Sequence, residues 1–206
     1  MSLLFRTAAV LLAATLGMAP LKADSLEVHV GYVQWVPDPG PVLSNVIPEP
    51  EDAGLKGAEL GLQDNSTTGK FLGQTYTLKS TVADSEAEAI AAFDQLRKSG
   101  IELFVVNAPA QTLKSMIAKA GADTLLFNAG SKADGLRTTE CNANLLHTMP
   151  SYAMLTDALA QWLNQRRWDE IFMITGPTDD DKGWANAFRR SAKRFGLEMI
   201  EDKPWT

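Results

Sequence analysis

The 206-residue chain is long enough for one large domain or two small ones, each with a sizeable core. Hydrophobic residues make up 45% and charged residues 21%, which excludes a disordered or fibrous chain. The formal net charge of -6 makes nucleic acid or an anionic membrane surface a poor match. Cys141 is the only cysteine, so no disulfide can form within the chain and the fold depends on its core.

Residues 1–23 predict a secretory signal peptide, in which Arg6 precedes an apolar run at residues 7–17 and Lys22 lies in a short polar exit. The alternative is a membrane anchor, but a bilayer crossing needs about 20 apolar residues, more than this run provides. Cleavage after residue 23 removes Arg6 and Lys22 from the 19 basic residues, leaving 17 against 25 acidic ones, a net charge of -8. We therefore expect an exported, acidic chain with no membrane insertion after the signal is removed.

Residues 28–33 (Val-His-Val-Gly-Tyr-Val) predict the first strand, which runs into Trp35. Prolines then recur over a long irregular segment, at positions 37, 39, 41, 48 and 50. Long loops of this kind are often functional. A helix is predicted from residue 51 to about residue 64, and residues 65–69 (Asn-Ser-Thr-Thr-Gly) predict a turn after it.

Strands and helices then alternate through the middle of the chain. The predicted elements are a half-buried edge strand at 75–82, a helix opened by a capping box at 85–88 and ended by Gly100, a buried strand at 101–106, a helix from Pro109 to Gly121, and a buried strand at 124–127. This order is typical of an open parallel sheet with helices on both faces.

The stretch at residues 144–151 (Asn-Leu-Leu-His-Thr-Met-Pro-Ser) ends one series of elements and begins a second. The second series is predicted to hold a helix at 151–168, a strand at 171–175, a loop at 176–181, a helix that ends at Gly196 and a strand at 197–201. The sequence therefore predicts an α/β protein with doubly wound parallel sheets in two lobes, at residues 24–148 and 149–206, joined by a hinge.

Four loops follow the carboxyl ends of predicted strands, which is where ligands bind in open α/β sheets. The ligand-binding residues predicted from these loops are Trp35, Asn107, Ala108, Asn128, Gly130, Ser131, Asp180 and Asp181. Two alternatives stay open: Trp35 could be a packed core residue, and the acidic run at 179–181 could cap its helix instead of contacting a cationic ligand or metal.

Catalysis has little support in the sequence. Cys141 and His147 could be a nucleophile and a base, but no third partner is evident, and a lone cysteine is more often buried and inert. The sequence has no phosphate loop, no Gly-x-Ser-x-Gly and no spaced cluster of metal ligands. We therefore predict a protein that is not an enzyme and has no cofactor and no metal.

The order of elements, with Gly57-Ala58-Glu59-Leu60-Gly61 leading through Asp64 and Gly73 to Asp84, resembles the type I periplasmic solute-binding proteins of ABC importers, branched-chain amino-acid class. Residues 63–74, 126–130, 194–196 and 203–205 further resemble the binding-protein-like subfamily associated with PQQ-dependent alcohol dehydrogenase systems. The resemblance covers about the first half of such a protein, so the second lobe is expected to be incomplete, as a truncated product or completed by a companion chain.

The resemblance implies a periplasmic binding component of an ABC transporter, linked to PQQ-dependent alcohol oxidation, that holds a small molecule between its lobes. Its partners would be an ABC permease or a quinoprotein dehydrogenase. The alternative is an accessory or scaffold protein of the dehydrogenase system with a degenerate cleft. The family holds an amino-acid carboxylate with hydroxyls and amides of two loops, yet Pro109 has no N–H and Asn107-Ala108 have no hydroxyl. An amino-acid ligand is therefore not expected.

Overall fold

The computed structural model describes residues 25–38, 47, 50 and 52–205. The predicted signal peptide and most of the proline-rich segment lie outside these residues. Within the described part, strands and helices alternate: β1 (Leu26–Gln34), α1 (Ala53–Leu72), β2 (Gln74–Val82), α2 (Glu86–Lys98), β3 (Leu103–Asn107), α3 (Ala110–Ile117), β4 (Leu125–Asn128), a 3-10 helix (Asp134–Arg137), β5 (Leu145–His147), α4 (Tyr152–Gln165), β6 (Glu170–Thr175), α5 (Asp179–Phe195) and β7 (Glu198–Pro204). The predicted α/β alternation is confirmed.

The first five strands form one parallel sheet in the order β2-β1-β3-β4-β5. Because side chains alternate along a strand, one face of the sheet presents Val33, Phe104 and Leu126, all fully buried under α2 and α3. Phe93 of α2 lies with its ring centroid 4.6 Å from that of Phe104. The opposite face is covered by α1 over β1 and β2.

The second sheet is the parallel pair β6-β7, and α4 and α5 pack on one of its faces. Its core consists of Ala160, Phe188, Ala192 and Leu197. The other face is exposed, with Phe172 at 60% and Ile174 at 59% of their full accessibility. Among the described helices, none combines the length and the hydrophobicity that a bilayer crossing requires.

The predicted turn at residues 65–69 is wrong, because α1 continues through it to Leu72. The side chains of Asn65, Ser66 and Thr67 each donate a 2.7 Å hydrogen bond to a carbonyl three or four residues earlier in the helix. These residues favour turns when their side chains compete with the helix, but here the same groups bond along it. The helix instead ends at Gly73, whose φ of 68° is in the left-handed region.

The chain passes from the first sheet to α4 immediately after β5. Ser151 caps α4 by accepting a hydrogen bond from the Met154 amide, and the Tyr152 amide donates to the Lys132 carbonyl at 3.0 Å. Thr148 bonds the Asn128 carbonyl through both its amide and its hydroxyl. The crossing segment is thus attached to the loops of the first sheet, while its role as a hinge stays a prediction.

Candidate functional site

A cleft of about 1120 Å³ lies between the loops of the first sheet and the start of α5. Seven of the eight predicted ligand-binding residues line it: Trp35, Asn107, Ala108, Gly130, Ser131, Asp180 and Asp181. Asn128 is fully buried and is not among the lining residues. The structure therefore brings the predicted loops together around one cavity, and their contact with a ligand stays a prediction.

The register of the parallel strands explains why these loops meet. Gln34 lies beside Asn107, and Val106 lies beside Asn128, so β1, β3 and β4 end side by side. The Trp35 amide continues the ladder by donating to the Asn107 carbonyl at 3.0 Å. Residues that follow these strands are consequently placed on the same edge of the sheet.

Trp35 is half-buried, packs against the core of the first sheet and also lines the cleft. The two interpretations of this residue are therefore compatible, since one part of the indole contacts the core and another faces the cavity. An aromatic wall of this kind can stack on a planar or apolar part of a ligand, or on a cation.

Asn128 shapes the loop at residues 128–131 from below. Its Oδ1 accepts hydrogen bonds from the amides of Gly130 at 3.2 Å and Ser131 at 2.8 Å. The Ser131 hydroxyl in turn accepts from the Ala133 amide at 3.3 Å. The backbone donors of this loop are thus used internally, which leaves little here to hold a ligand carboxylate.

The first turn of α3 is the donor-rich part of the cleft, and its residues were not among the predicted ligand-binding residues, although a helix start at Pro109 was predicted. Ala110, Gln111 and Thr112 line the cavity, and Pro109 precedes the helix without a side-chain cap. The first N–H groups of a helix have no partner within it. The Thr112 hydroxyl donates to the Glu86 carboxylate at 3.1 Å, which places a negative charge next to this helix end. A proline directly after a buried strand was the available signal, because proline is common near helix starts.

The acidic run at the start of α5 is used in three different ways. Asp181 forms a capping box with Thr178, so the capping interpretation is confirmed for this residue. Asp180 accepts a hydrogen bond from the Tyr152 hydroxyl, and Asp179 is fully exposed beside Lys182. Burial, and then the bond to Asp180, raise the pKa of Tyr152, so its hydroxyl stays protonated as the donor.

Acidic side chains outnumber basic ones on the cleft wall. The acidic ones are Asp38, Glu86, Asp134, Asp179, Asp180 and Asp181, and the basic ones are Lys132 and Arg190. Arg190 is already paired with Asp157 at 2.7 Å. The wall therefore presents a net negative field, which favours a cationic or neutral polar ligand over an anion.

The catalytic alternative gains nothing from the geometry. Cys141 is exposed, which corrects the expectation of a buried cysteine, and the Nδ1 atom of His147 lies 3.0 Å from the Asn128 side chain. Within the described part of the chain, no recorded contact joins Cys141 to His147. The same residues contain no group of three or more His, Cys, Asp or Glu able to hold a metal ion.

A search against models of known protein families found no match, and neither did a search of curated proteins. Solved structures do match. An ABC transporter substrate-binding protein from Desulfitobacterium hafniense, in complex with Leu, superposes with a TM-score of 0.68 at 16% identity, over 88% of this chain and 51% of that one. A leucine-, isoleucine-, valine-, threonine- and alanine-binding protein from Brucella ovis gives 0.67 at 16% identity, over 89% and 47%.

A third match is the branched-chain amino acid transporter substrate-binding protein of Streptococcus pneumoniae in complex with isoleucine. It gives a TM-score of 0.61 at 17% identity, over 88% of this chain and 50% of that one. The chain thus has the type I periplasmic binding protein fold and spans about half the length of these structures. This confirms the predicted fold class.

Proposed function

We propose that this chain is the solute-binding part of an exported ABC-transport component, which holds a small molecule in the cleft between its two sheets. The supporting observation is the cavity itself, which is lined on one side by the loops after β1, β3 and β4 and on the other by the start of α5. Closure of two such lobes about a crossing segment is a common way to enclose a ligand. The binding role also agrees with the fold of the matched transport proteins.

The proposed ligand is a neutral or cationic polar molecule. The matched proteins from Desulfitobacterium hafniense and Streptococcus pneumoniae hold Leu and isoleucine. In this chain the amides of Gly130 and Ser131 already donate hydrogen bonds to the Asn128 side chain, and the cleft wall is rich in acidic residues. Both features disfavour a ligand carboxylate. The resemblance of residues 63–74 to the PQQ-associated subfamily supports an alcohol or an alcohol-derived metabolite, and a place beside a quinoprotein dehydrogenase or an ABC permease in the periplasm.

A thermal-shift and calorimetric screen of the exported chain tests this proposal. The compounds are short alcohols and diols, aldehydes, amino alcohols, carboxylic acids and amino acids. We expect an alcohol or amino alcohol to raise the melting temperature, and Trp35→Ala to abolish that shift. Trp168→Ala is the matched control, because this indole is 58% exposed and lies outside the cleft lining. A screen in which no compound stabilises the chain would contradict the proposal.

The second candidate is an accessory or scaffold protein whose cleft no longer binds a solute. The internal use of the 128–131 amides and the presence of Pro109 favour it. Its test is co-purification with a quinoprotein dehydrogenase or a permease from cells expressing Trp35→Ala. Retention of the partner by this variant, together with a negative ligand screen, would support the scaffold role over the transport role.

A further inference from the structure

The Asn128 side chain can adopt only one orientation without losing hydrogen bonds. Its Oδ1 accepts from the Gly130 and Ser131 amides, and its Nδ2 donates to the Ser131 carbonyl at 2.7 Å. Exchanging the oxygen and nitrogen positions would break all three bonds in a fully buried place. The amide is therefore fixed with its Nδ2 group facing the Nδ1 atom of His147, at 3.0 Å.

This orientation determines the state of His147. Because Asn128 presents a donor, Nδ1 of the imidazole must be an acceptor, and the ring is neutral with its proton on Nε2. Burial lowers the pKa of His147, the nearby Arg137 guanidinium lowers it further, and a hydrogen bond to the Leu136 backbone acts in the opposite direction. Among the described residues, Arg137 is thus the charged neighbour that acts on this ring.

Asn128 also joins the cleft wall to the crossing segment. The Asn128 carbonyl accepts from the Thr148 amide at 3.1 Å and from the Thr148 hydroxyl at 3.0 Å. A shift of Asn128 would therefore move both the loop at 128–131, which lines the cleft, and the start of the passage to α4.

We propose that Asn128 is a positioning residue for the cleft wall, and that His147 holds it in place only while the imidazole is neutral. Protonation would set an N–H of His147 against the N–H of Asn128, and the loop at 128–131 would lose its support. The proposal rests on the cleft being the binding site and adds its regulation: ligand affinity should fall in acid. The structural part can be tested without any ligand, so its failure is distinguishable from that of the proposed function.

The test is a pH titration of the exported chain by NMR, in a His29→Gln background that leaves His147 as the single histidine. We expect the Nε2–H tautomer at neutral pH and a pKa below the ordinary imidazole value. As the pH falls toward that pKa, the exchange protection of the Gly130 and Ser131 amides should drop about tenfold for each pH unit, following the ratio of neutral to protonated imidazole, and should level off below the pKa. An imidazole that titrates at or above its ordinary value, or amides whose protection ignores the titration, would overturn the proposal.

The variant Asn128→Asp should reverse the behaviour. Its carboxylate still accepts from the two loop amides and loses the bond to the Ser131 carbonyl, but it attracts a protonated imidazole. The His147 pKa should therefore rise, and the amides should be better protected in acid than at neutral pH. Asn144→Asp is the matched control, because Asn144 bonds the Gly121 and Ala122 carbonyls at the amino ends of β4 and β5, away from His147. Equal His147 titration in both variants would show that Asn128 does not control the ring. His147→Gln should remove the pH dependence of the loop.

Discussion

Two glycines one turn apart in α1 should respond in opposite ways to the same substitution. A Cβ added at Gly54 would overlap the Tyr32 hydroxyl and lie 2.8 Å from Asn107 Nδ2 and 2.9 Å from Gln34 Oε1. A Cβ added at Gly57 would meet no atom within 4 Å. Helix α1 thus rests on the sheet through the first glycine and has open space at the second.

The magnitudes follow from these surroundings. Alanine is favoured over glycine inside a helix by about 0.5–1 kcal/mol, so Gly57→Ala should stabilise the chain by roughly that amount. In Gly54→Ala the new methyl must displace the hydrogen bond from Tyr32 to Gln34, two residues that are 1% and 7% exposed. Overpacking at buried contacts costs about 1–3 kcal/mol. After the helix gain is subtracted, the net effect should be a destabilisation of about 0–2.5 kcal/mol.

The assay is urea unfolding of both variants and of the natural chain, followed by far-ultraviolet circular dichroism and analysed with a common slope. The two alanine variants differ from the natural chain by the same atoms, and the helix gain should be the smaller one at Gly54, which is the second residue of α1. A Gly54→Ala chain as stable as Gly57→Ala would refute the packing of α1 on Tyr32 and Gln34. Since Asn107 lines the cleft, the first variant should also weaken ligand binding, and the second should not.

Two further predictions concern α4 and α5. Asp157→Asn should lose about 1 kcal/mol, because the carboxylate pairs with the half-exposed Arg190 and Arg194, where solvent screening keeps such bonds weak. The bond from Ser191, and then the arginines, lower the Asp157 pKa, so the difference should be present at pH 7 and be lost as the pH falls through that lowered pKa, in parallel urea titrations. Thr178→Ala should cost about 1 kcal/mol by removing the α5 cap. A Thr178→Ala chain with an unchanged urea midpoint would contradict that role.

The alternation of strands and helices was predictable because the spacing of hydrophobic residues and the residues that begin and end a helix can be read from short stretches of sequence. Ser85 accepts from the Glu88 amide at 3.2 Å, and Gly100 has a φ of 93°, as expected from the sequence around α2. The extension of α1 was not predictable from its own residues, since Asn65 and Ser66 can serve either a turn or a helix. Packing decides it: Gly69 is buried where a Cβ would lie 2.8 Å from the Tyr76 ring, in a strand that follows the helix.

The cleft was predictable to the extent that parallel strands deliver their carboxyl ends to one edge. This principle selected Trp35, Asn107 and Ser131, all of which line the cavity. It says nothing about the direction of each side chain, so it could not place Asn128 beneath its loop. The same principle could not predict the contact between Tyr152 and Asp180, because these residues lie on two different helices and are 28 positions apart in the sequence.

The sheet order has a consequence for the synthesis of the chain. β1 is an inner strand, and both of its neighbours come later: Leu26 pairs with Gln74, and Val30 pairs with Leu103. At a translation rate of about 5–20 residues per second, β1 waits several seconds for its first partner to be made. During that interval this apolar, β-branched segment has no strand to pair with. Until that partner is made, the segment is open to capture by a chaperone.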